Sequence, residues 1–175
     1  MANLIEVSNQ AVATMLNQAG DKVGDLSPVL LAIGDDIIER TKQRFASATA
    51  PDGTPWAPNT EATLINYIHQ RGGFSGKTGK ITAKGQTLAI SKRPLQGESG
   101  DLERQFSSLV ASGDTLLVGS SMIYAAMEQF GGTKAQFPNL WGDIPARPFL
   151  PIMADGSLYP DEELRIIEQI RQYLS

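Results

Sequence analysis

A few places in this 175-residue chain hold residue types able to do chemistry, and spacing limits each of them. Gly76-Lys77-Thr78 has the ending of a phosphate-binding loop, in which backbone N–H groups and a lysine would cradle nucleotide phosphates. That loop needs a glycine five residues before Gly76, where Arg71 stands, and a strand leading in, where a helix is expected. His69 is the only histidine and there is no cysteine, so neither a histidine pair nor a histidine-based zinc site can be assembled. Asp35-Asp36 and Asp161-Glu162-Glu163 are adjacent acids on expected helices, where neighbours point in different directions. They read as solvated faces and as partners of a helix's positive N-terminal end. No Gly-x-Ser-x-Gly elbow occurs, and Gly119-Ser120-Ser121 reads as a helix cap. The residues therefore give no catalytic, cofactor or metal site, and the chain reads as a non-enzyme.

The charges are more informative. The net charge is −4, but from Ala62 to Gly97 there is no acid, while Arg71, Lys77, Lys80, Lys84, Lys92 and Arg93 supply six bases. The remainder then holds 15 − 6 = 9 bases against 19 acids, a balance of −10. An acidic body with a basic insert follows. Lys77, Lys80, Lys84, Lys92 and Arg93 are candidates for contact with phosphate or with an acidic partner. Phosphate contact would be non-specific and salt-dependent, because no ladder of aromatics accompanies the charges.

Two stiffened loops carry large side chains. Trp56 lies between Pro55 and Ala57-Pro58, where it either plugs the edge of the core or meets a partner. In Ile144-Pro145-Ala146-Arg147-Pro148-Phe149-Leu150, Pro148 drives Arg147 toward an extended backbone. Arg147 then either pairs with an acid of its own domain or grips a neighbouring subunit, where a planar fork is favoured. Arg147, Pro145, Pro148, Phe149, Trp56 and Trp141 are the candidate interface residues.

The elements that position these residues follow from capping and periodicity. Leu4, Ile5 and Val7 form a short strand, and Ser8 caps a helix over about 9–19 with Val12, Met15 and Leu16 on one face. Ser27 is expected as the cap and Pro28 as the first residue of a helix reaching Ala46 or Ala48. Its core stripe is Leu30, Ile33, Ile37 and Phe45, flanked by Leu31 and Ile38, with Asp35, Glu39, Lys42 and Arg44 on the remaining surface. Pro51-Asp52-Gly53 makes a turn, and Thr60 caps a helix to Gln70. Residues 71–100 hold seven glycines and read as a flexible basic loop or arm, with Thr87 to Ile90 as one strand of a hairpin. A short helical turn starts at Asp101, and strands at 107–111 and 115–119 pair through Ser112-Gly113-Asp114. Ser120 or Ser121 caps a helix over 122–130 whose face is Ile123, Tyr124, Met127 and Phe130, stopped by Gly131. The last helix, 161–174, shows Leu164, Ile167, Ile170 and Leu174 as its stripe. The expectation is one α+β domain over 1–175, with a small antiparallel sheet, four or five helices and a long Gly-rich basic loop. The start MANLIEVSNQ lacks a leader pattern, and no apolar run approaches the ~18 residues of a membrane span, so no membrane contact is expected.

Several pieces, in this order, carry a resemblance: Arg44-Phe45, Pro51-Asp52-Gly53-Thr54-Pro55-Trp56, Pro94-Leu95 with Gly100-Asp101-Leu102, Val118-Gly119-Ser120, Tyr124-Ala125 with Gln129-Phe130-Gly131-Gly132, and Ile144 to Leu150. Together, from about Gly24 onward, the chain resembles the phage virion morphogenesis family, the tail-completion or neck proteins of Mu-like phages and prophages. The resemblance implies a structural virion protein for tail completion or head–tail joining, with no enzymatic activity and no cofactor. It implies a homo-oligomeric ring, hexameric by tail symmetry or dodecameric at the portal side. Tail tube, tail terminator or head-connector proteins would be the other partners. An acidic body would let double-stranded DNA pass without specific binding. Location would be the virion neck or tail, and the host cytoplasm during assembly. The Gly-rich basic lead-in to Gly100-Asp101 and the loop carrying Trp141 depart from the family pattern. Two other functions compete: a nucleic-acid-binding accessory using residues 71–93, and a peptidoglycan hydrolase carried in the particle.

Overall fold

The body is organised on one long helix, α2 (Ser27–Ser47), because its sequence supplies both a start and a continuous stripe. Pro28 sits in the first turn, where a missing N–H costs nothing. The start is capped differently from expectation. Ser27 is already helical, and the Asp25 carboxylate accepts its N–H at 2.9 Å. The computed structural model describes residues 10–23, 25–97, 99–111, 115–140 and 142–175. The expected first strand at Leu4, Ile5 and Val7, the Ser8 cap, the Ser112-Gly113-Asp114 turn and Trp141 lie outside the described residues.

In chain order the remaining elements are α1 (Gln10–Val23), α3 (Glu61–Gln70), α4 (Ala83–Ser91), α5 (Asp101–Arg104), β1 (Phe106–Ala111), β2 (Thr115–Ser120), α6 (Ala125–Phe130) and α7 (Pro160–Leu174). The class is α+β, as expected. β1 and β2 form a two-stranded antiparallel sheet in unbroken register from Phe106↔Ser120 to Ala111↔Thr115. A hairpin alone is marginal in water, and this one is held by laying Val110, Leu116 and Val118 onto α2. α7 packs on α2 and on α1.

The interior has two apolar groups. One joins Leu30, Ile33 and Ile37 of α2 to Ile166 and Ile170 of α7 and to Val12, Met15 and Leu16 of α1. The other surrounds Phe149 with Phe45, Trp56, Leu102, Ala125 and Ile152.

Several local expectations are corrected. Arg44, placed on the α2 surface by its charge, is buried, and Leu31 is exposed. The stripe 33, 37, 41, 44 continues at helical spacing, so Arg44 falls on the inner face whatever its charge. On α7 the buried residues are Glu162, Ile166 and Ile170, while Leu164 is 64% exposed. α6 begins at Ala125 rather than Met122; the Ser120 hydroxyl accepts the Met122 N–H at 3.2 Å and starts a turn instead. Ile123 and Tyr124 are consequently exposed.

The largest correction concerns 71–100. The stretch expected as a strand, Thr87 to Ile90, lies within α4. Thr82 caps this helix: its hydroxyl accepts the Gly85 N–H at 3.2 Å and donates to the Gly73 carbonyl at 2.9 Å. β-branched Thr87 is accommodated because its hydroxyl donates to the Ala83 carbonyl at 3.1 Å. Gly73 and Gly85 read as flexibility but serve contact. A Cβ on Gly73 would stand 2.7 Å from the Gly85 Cα, and one on Gly85 would stand 2.3 Å from the Gly73 carbonyl oxygen. Absence of side chains lets α4 lie directly on the chain leaving α3.

Candidate assembly site around Arg147

α6 and the extended segment 145–152 build the site through their backbones. The Arg147 N–H donates to the Glu128 carbonyl at 2.8 Å. Gln129, 1% exposed, then serves as a connector. Its Oε1 accepts the N–H groups of Phe149 and Leu150, both at 2.9 Å, and its Nε2 donates to the carbonyls of Ile152 (3.0 Å) and Leu150 (3.3 Å). One amide thus satisfies a buried, non-sheet strand whose polar groups would otherwise be orphaned. Gln129 was not among the expected site residues. Its signal was present: it stands four residues after Ala125, on the inner face of the same helix.

The chain reaches this segment by a close turn. Gly131 ends α6 with φ 70 and ψ −176, a region open to glycine, and its Cβ would lie 2.7 Å from the Ala146 nitrogen. Gly132 and Ile144 exchange backbone hydrogen bonds at 2.9 and 2.8 Å, closing the intervening loop.

Arg147, 7% exposed, turns inward. Nε donates to the Ala57 carbonyl at 2.9 Å, Nη2 to the Pro58 carbonyl at 3.0 Å, and Nη1 reaches Glu128 Oε2 at 3.4 Å. Its fork ties the Trp56 loop to α6 within one chain. Burial pushes the Glu128 carboxyl above its ordinary value, and Arg147 pulls it partly back. Trp56 sits beside this fork, its Nε1 donating to the Pro148 carbonyl at 2.8 Å. Its ring meets Phe45 edge-on at 5.3 Å, and Phe45 meets Phe149 at 5.4 Å.

Beneath Phe149 lies a charged group that sequence reasoning missed. The Phe149 carbonyl accepts from Arg44 Nη1 at 2.7 Å and from the Thr41 hydroxyl at 3.3 Å. Arg44 Nη2 donates to Glu162 Oε1 at 2.6 Å, and Arg40 Nη1 holds the other oxygen of Glu162. Arg40 Nη2 also lies 2.8 Å from Asp36. Burial lowers the affinity of Arg44 for its proton, and Glu162 opposes that. Two bases on one buried acid are needed here because an unpaired charge would be costly to desolvate.

The structure brings Trp56, Arg147 and Phe149 together in the interior, with the Pro148 carbonyl bonded to Trp56. Pro145 and Pro148 keep partial exposure, and Trp141 is outside the described residues. Beside Arg147 is a cleft of about 310 Å3 lined by Thr60, Lys92, Asp101, Tyr124, Glu128 and Asp143. Burial together with Asp101 and Glu128 pushes the Tyr124 phenol up. Among the described residues no group of three or more His, Asp or Glu side chains is placed to hold a metal ion, and no helix is long and apolar enough to cross a membrane.

The basic candidates divide. Lys92 Nζ lies 4.9 Å over the Tyr67 ring and donates to the Gln96 carbonyl. Arg93 donates to the Ala46 carbonyl at 2.6 Å. Lys92 thus ties the end of α4 back to α3, and Arg93 ties the unit to α2. Lys77, Lys80 and Lys84 project from the turn before α4 and from its first residues. Gly76-Lys77-Thr78 follows a helix, α3, and not a strand, so the phosphate-loop reading fails on context too. His69 is exposed, 6.2 Å from the Phe74 ring.

The domain is α+β, and the polar network around Phe149 faces its interior. Residues 7–66 match the phage virion morphogenesis family, a structural and assembly family. The matched stretch runs through α1, α2 and the Trp56 turn into α3, and includes Arg44-Phe45 and Pro51 to Trp56. The resemblance read from the sequence is borne out there. No curated protein and no solved structure matches the chain. The match points to a role in phage virion morphogenesis.

Proposed function

We propose that the protein is a tail-completion or head–tail joining component, acting as a homo-oligomeric ring in the neck through contacts between protein surfaces. The observation that carries this is the family match over residues 7–66. The expected copy number is six, with twelve as the alternative, and the interfaces would be heterologous and closed by rotation. Tail tube, tail terminator or head-connector proteins would meet the ring, and DNA would pass an acidic body without specific adhesion. Assembly would begin in the host cytoplasm and end in the particle. Pro145 and Pro148, which keep partial exposure, remain the interface candidates of the 145–150 segment, braced from below by Arg147 and Phe149. The test is deletion of the coding sequence followed by electron microscopy of lysates and mass spectrometry of purified particles. Heads and tails that fail to join, with the protein present in complemented particles, are the expected result. Normal infectious particles that lack the protein would sink the reading.

A second reading has support from Lys77, Lys80 and Lys84, which are exposed on a segment free of acids. A nucleic-acid accessory would bind DNA at low salt and lose binding when all three become glutamate. Absence of binding by the original protein at low salt ends it.

A further inference from the structure

Two stretches of the chain are complementary in charge. From Ala62 to Gly97 there are six bases and no acid; from Pro148 to Leu164 there are four acids and no base. Each is carried on built structure. Lys77 and Lys80 ride a turn closed by the Phe74–Ile81 bridge, where the Ser75 N–H donates to the Lys80 carbonyl at 2.9 Å and the Gly79 N–H to the Ser75 carbonyl at 2.8 Å. Lys84 follows in the first turn of α4, with exposed Ile81 beside it and exposed Ile90 further along. On the acidic side Glu162 is consumed internally by Arg40 and Arg44, which leaves Asp155, Asp161 and Glu163. Asp155 tips the turn between the bridged Ile152 and Leu158, and Asp161 and Glu163 stand in the first turn of α7. Leu164 is exposed three residues after Asp161, on the same side of the helix.

We infer that the α3–α4 unit of one copy docks, through Lys77, Lys80, Lys84 and Ile81, on the acidic start of α7 of a second copy, around Asp161, Glu163 and Leu164. The inference rests on the ring reading and names the surfaces that would close it. Each surface offers an exposed aliphatic side chain beside charges mainly of one sign, Ile81 with Lys80 and Lys84 and Leu164 with Asp161 and Glu163, Arg165 being the base that follows Leu164. Among the described residues Lys77, Lys80 and Lys84 take part in no salt bridge, so the pairing is not satisfied within one chain. The unit is instead fixed to its own body elsewhere, by the Asn59 amide on the Lys92 carbonyl and by Arg93 on the Ala46 carbonyl. Nucleic acid fits less well. Tyr67 is already covered by Arg71 and Lys92, each 4.9 Å from the ring, so it offers no stacking platform. Different surfaces meeting head to tail leave one of each free at the ends, so the contact propagates until rotation closes it.

The test is sedimentation of the full chain at about 0.05 M and about 0.5 M salt, since screening separates charge-driven contacts from others. The original protein should associate at the lower salt and separate at the higher. Lys77→Glu/Lys80→Glu/Lys84→Glu should weaken association on the order of tenfold or more. Mixing that variant with Asp161→Lys/Glu163→Lys should restore association between the two, with circular dichroism showing both folded. An original protein that stays monomeric at both salts overturns the inference. So does a triple variant that associates as the original does, although self-assembly would then survive through another surface. DNA binding that the triple variant loses, with self-association unchanged, assigns the lysines to nucleic acid and also overturns it. The ring reading is judged separately, by the particle contents of the deletion strain.

Discussion

The segment around Phe149 and the α3–α4 unit present opposite cases. Around Phe149, Arg147, Gln129 and Arg44 spend their polar atoms on neighbours in the same chain. In the α3–α4 unit, backbone groups are satisfied by the Thr82 cap and the Phe74–Ile81 bridge, yet Lys77, Lys80 and Lys84 face outward. The difference teaches that a residue's type is a poor guide to whether it faces a partner. Arginine, tryptophan and phenylalanine are favoured at interfaces and equally able to fill a core, and what separates the cases is the supply of internal acceptors. Arg147 finds carbonyls of Ala57 and Pro58 within reach, whereas the turn carrying Lys77 and Lys80 has no acid in its own stretch.

Breaking the first region should cost far more than altering the second. Glu162→Ala takes from buried Arg44 its acidic partner and leaves Arg40 with Asp36 alone, and should destabilise by about 3–5 kcal/mol, read as the midpoint shift in urea. Gln129→Leu keeps the volume but strips the partners from residues 149–152, and a loss of about 3 kcal/mol is expected in the same assay. Arg147→Met should cost about 2 kcal/mol, since the Ala57 and Pro58 carbonyls lose their donors; a stability equal to the original would mean that its fork is needed only by a partner. At the other extreme, the Lys77, Lys80 and Lys84 to glutamate variant should stay within about 0.5 kcal/mol of the original per substitution, because exposed charges contribute little to folding. A large loss there would erase the contrast.

Glu128 sharpens the comparison through pH. Its carboxyl titrates above its ordinary value when folded, mainly because it is buried. The folded state therefore holds that proton more tightly than the unfolded one. The stabilisation is complete below the ordinary value and disappears as pH rises through the folded one. Glu128→Gln should flatten that slope in melts across the acid range, an effect smaller than that of Arg147→Met.

Much of the fold was legible. The Thr60 cap appears as expected, its hydroxyl accepting the Thr63 N–H at 3.3 Å, and the hairpin lies at 106–111 and 115–120 against an expected 107–111 and 115–119. These features depend on neighbours a few residues away. The site was legible only in part. Trp56 and the 145–150 segment were singled out, but their meeting, like the roles of Gln129, Arg44 and Glu162, was not. Residues 71–100 misled because glycine usually signals freedom, and at Gly73 and Gly85 it signals close packing.

The amino-acid sequence by itself determined the α+β class, the Thr60 cap, the position of the hairpin, the split into an acidic body and a basic insert, and the family likeness. Each follows from spacing within a turn or two, or from composition. Only the tertiary structure decided that Arg147 folds back, that Arg44 and Glu162 share the interior, and that α7 turns Leu164 outward. Those choices are made by groups far apart in the chain, Arg44 and Glu162 being 118 residues apart. A charge on an inner stripe is tolerable only if its partner arrives by the folding of the rest, and no local pattern records that arrival.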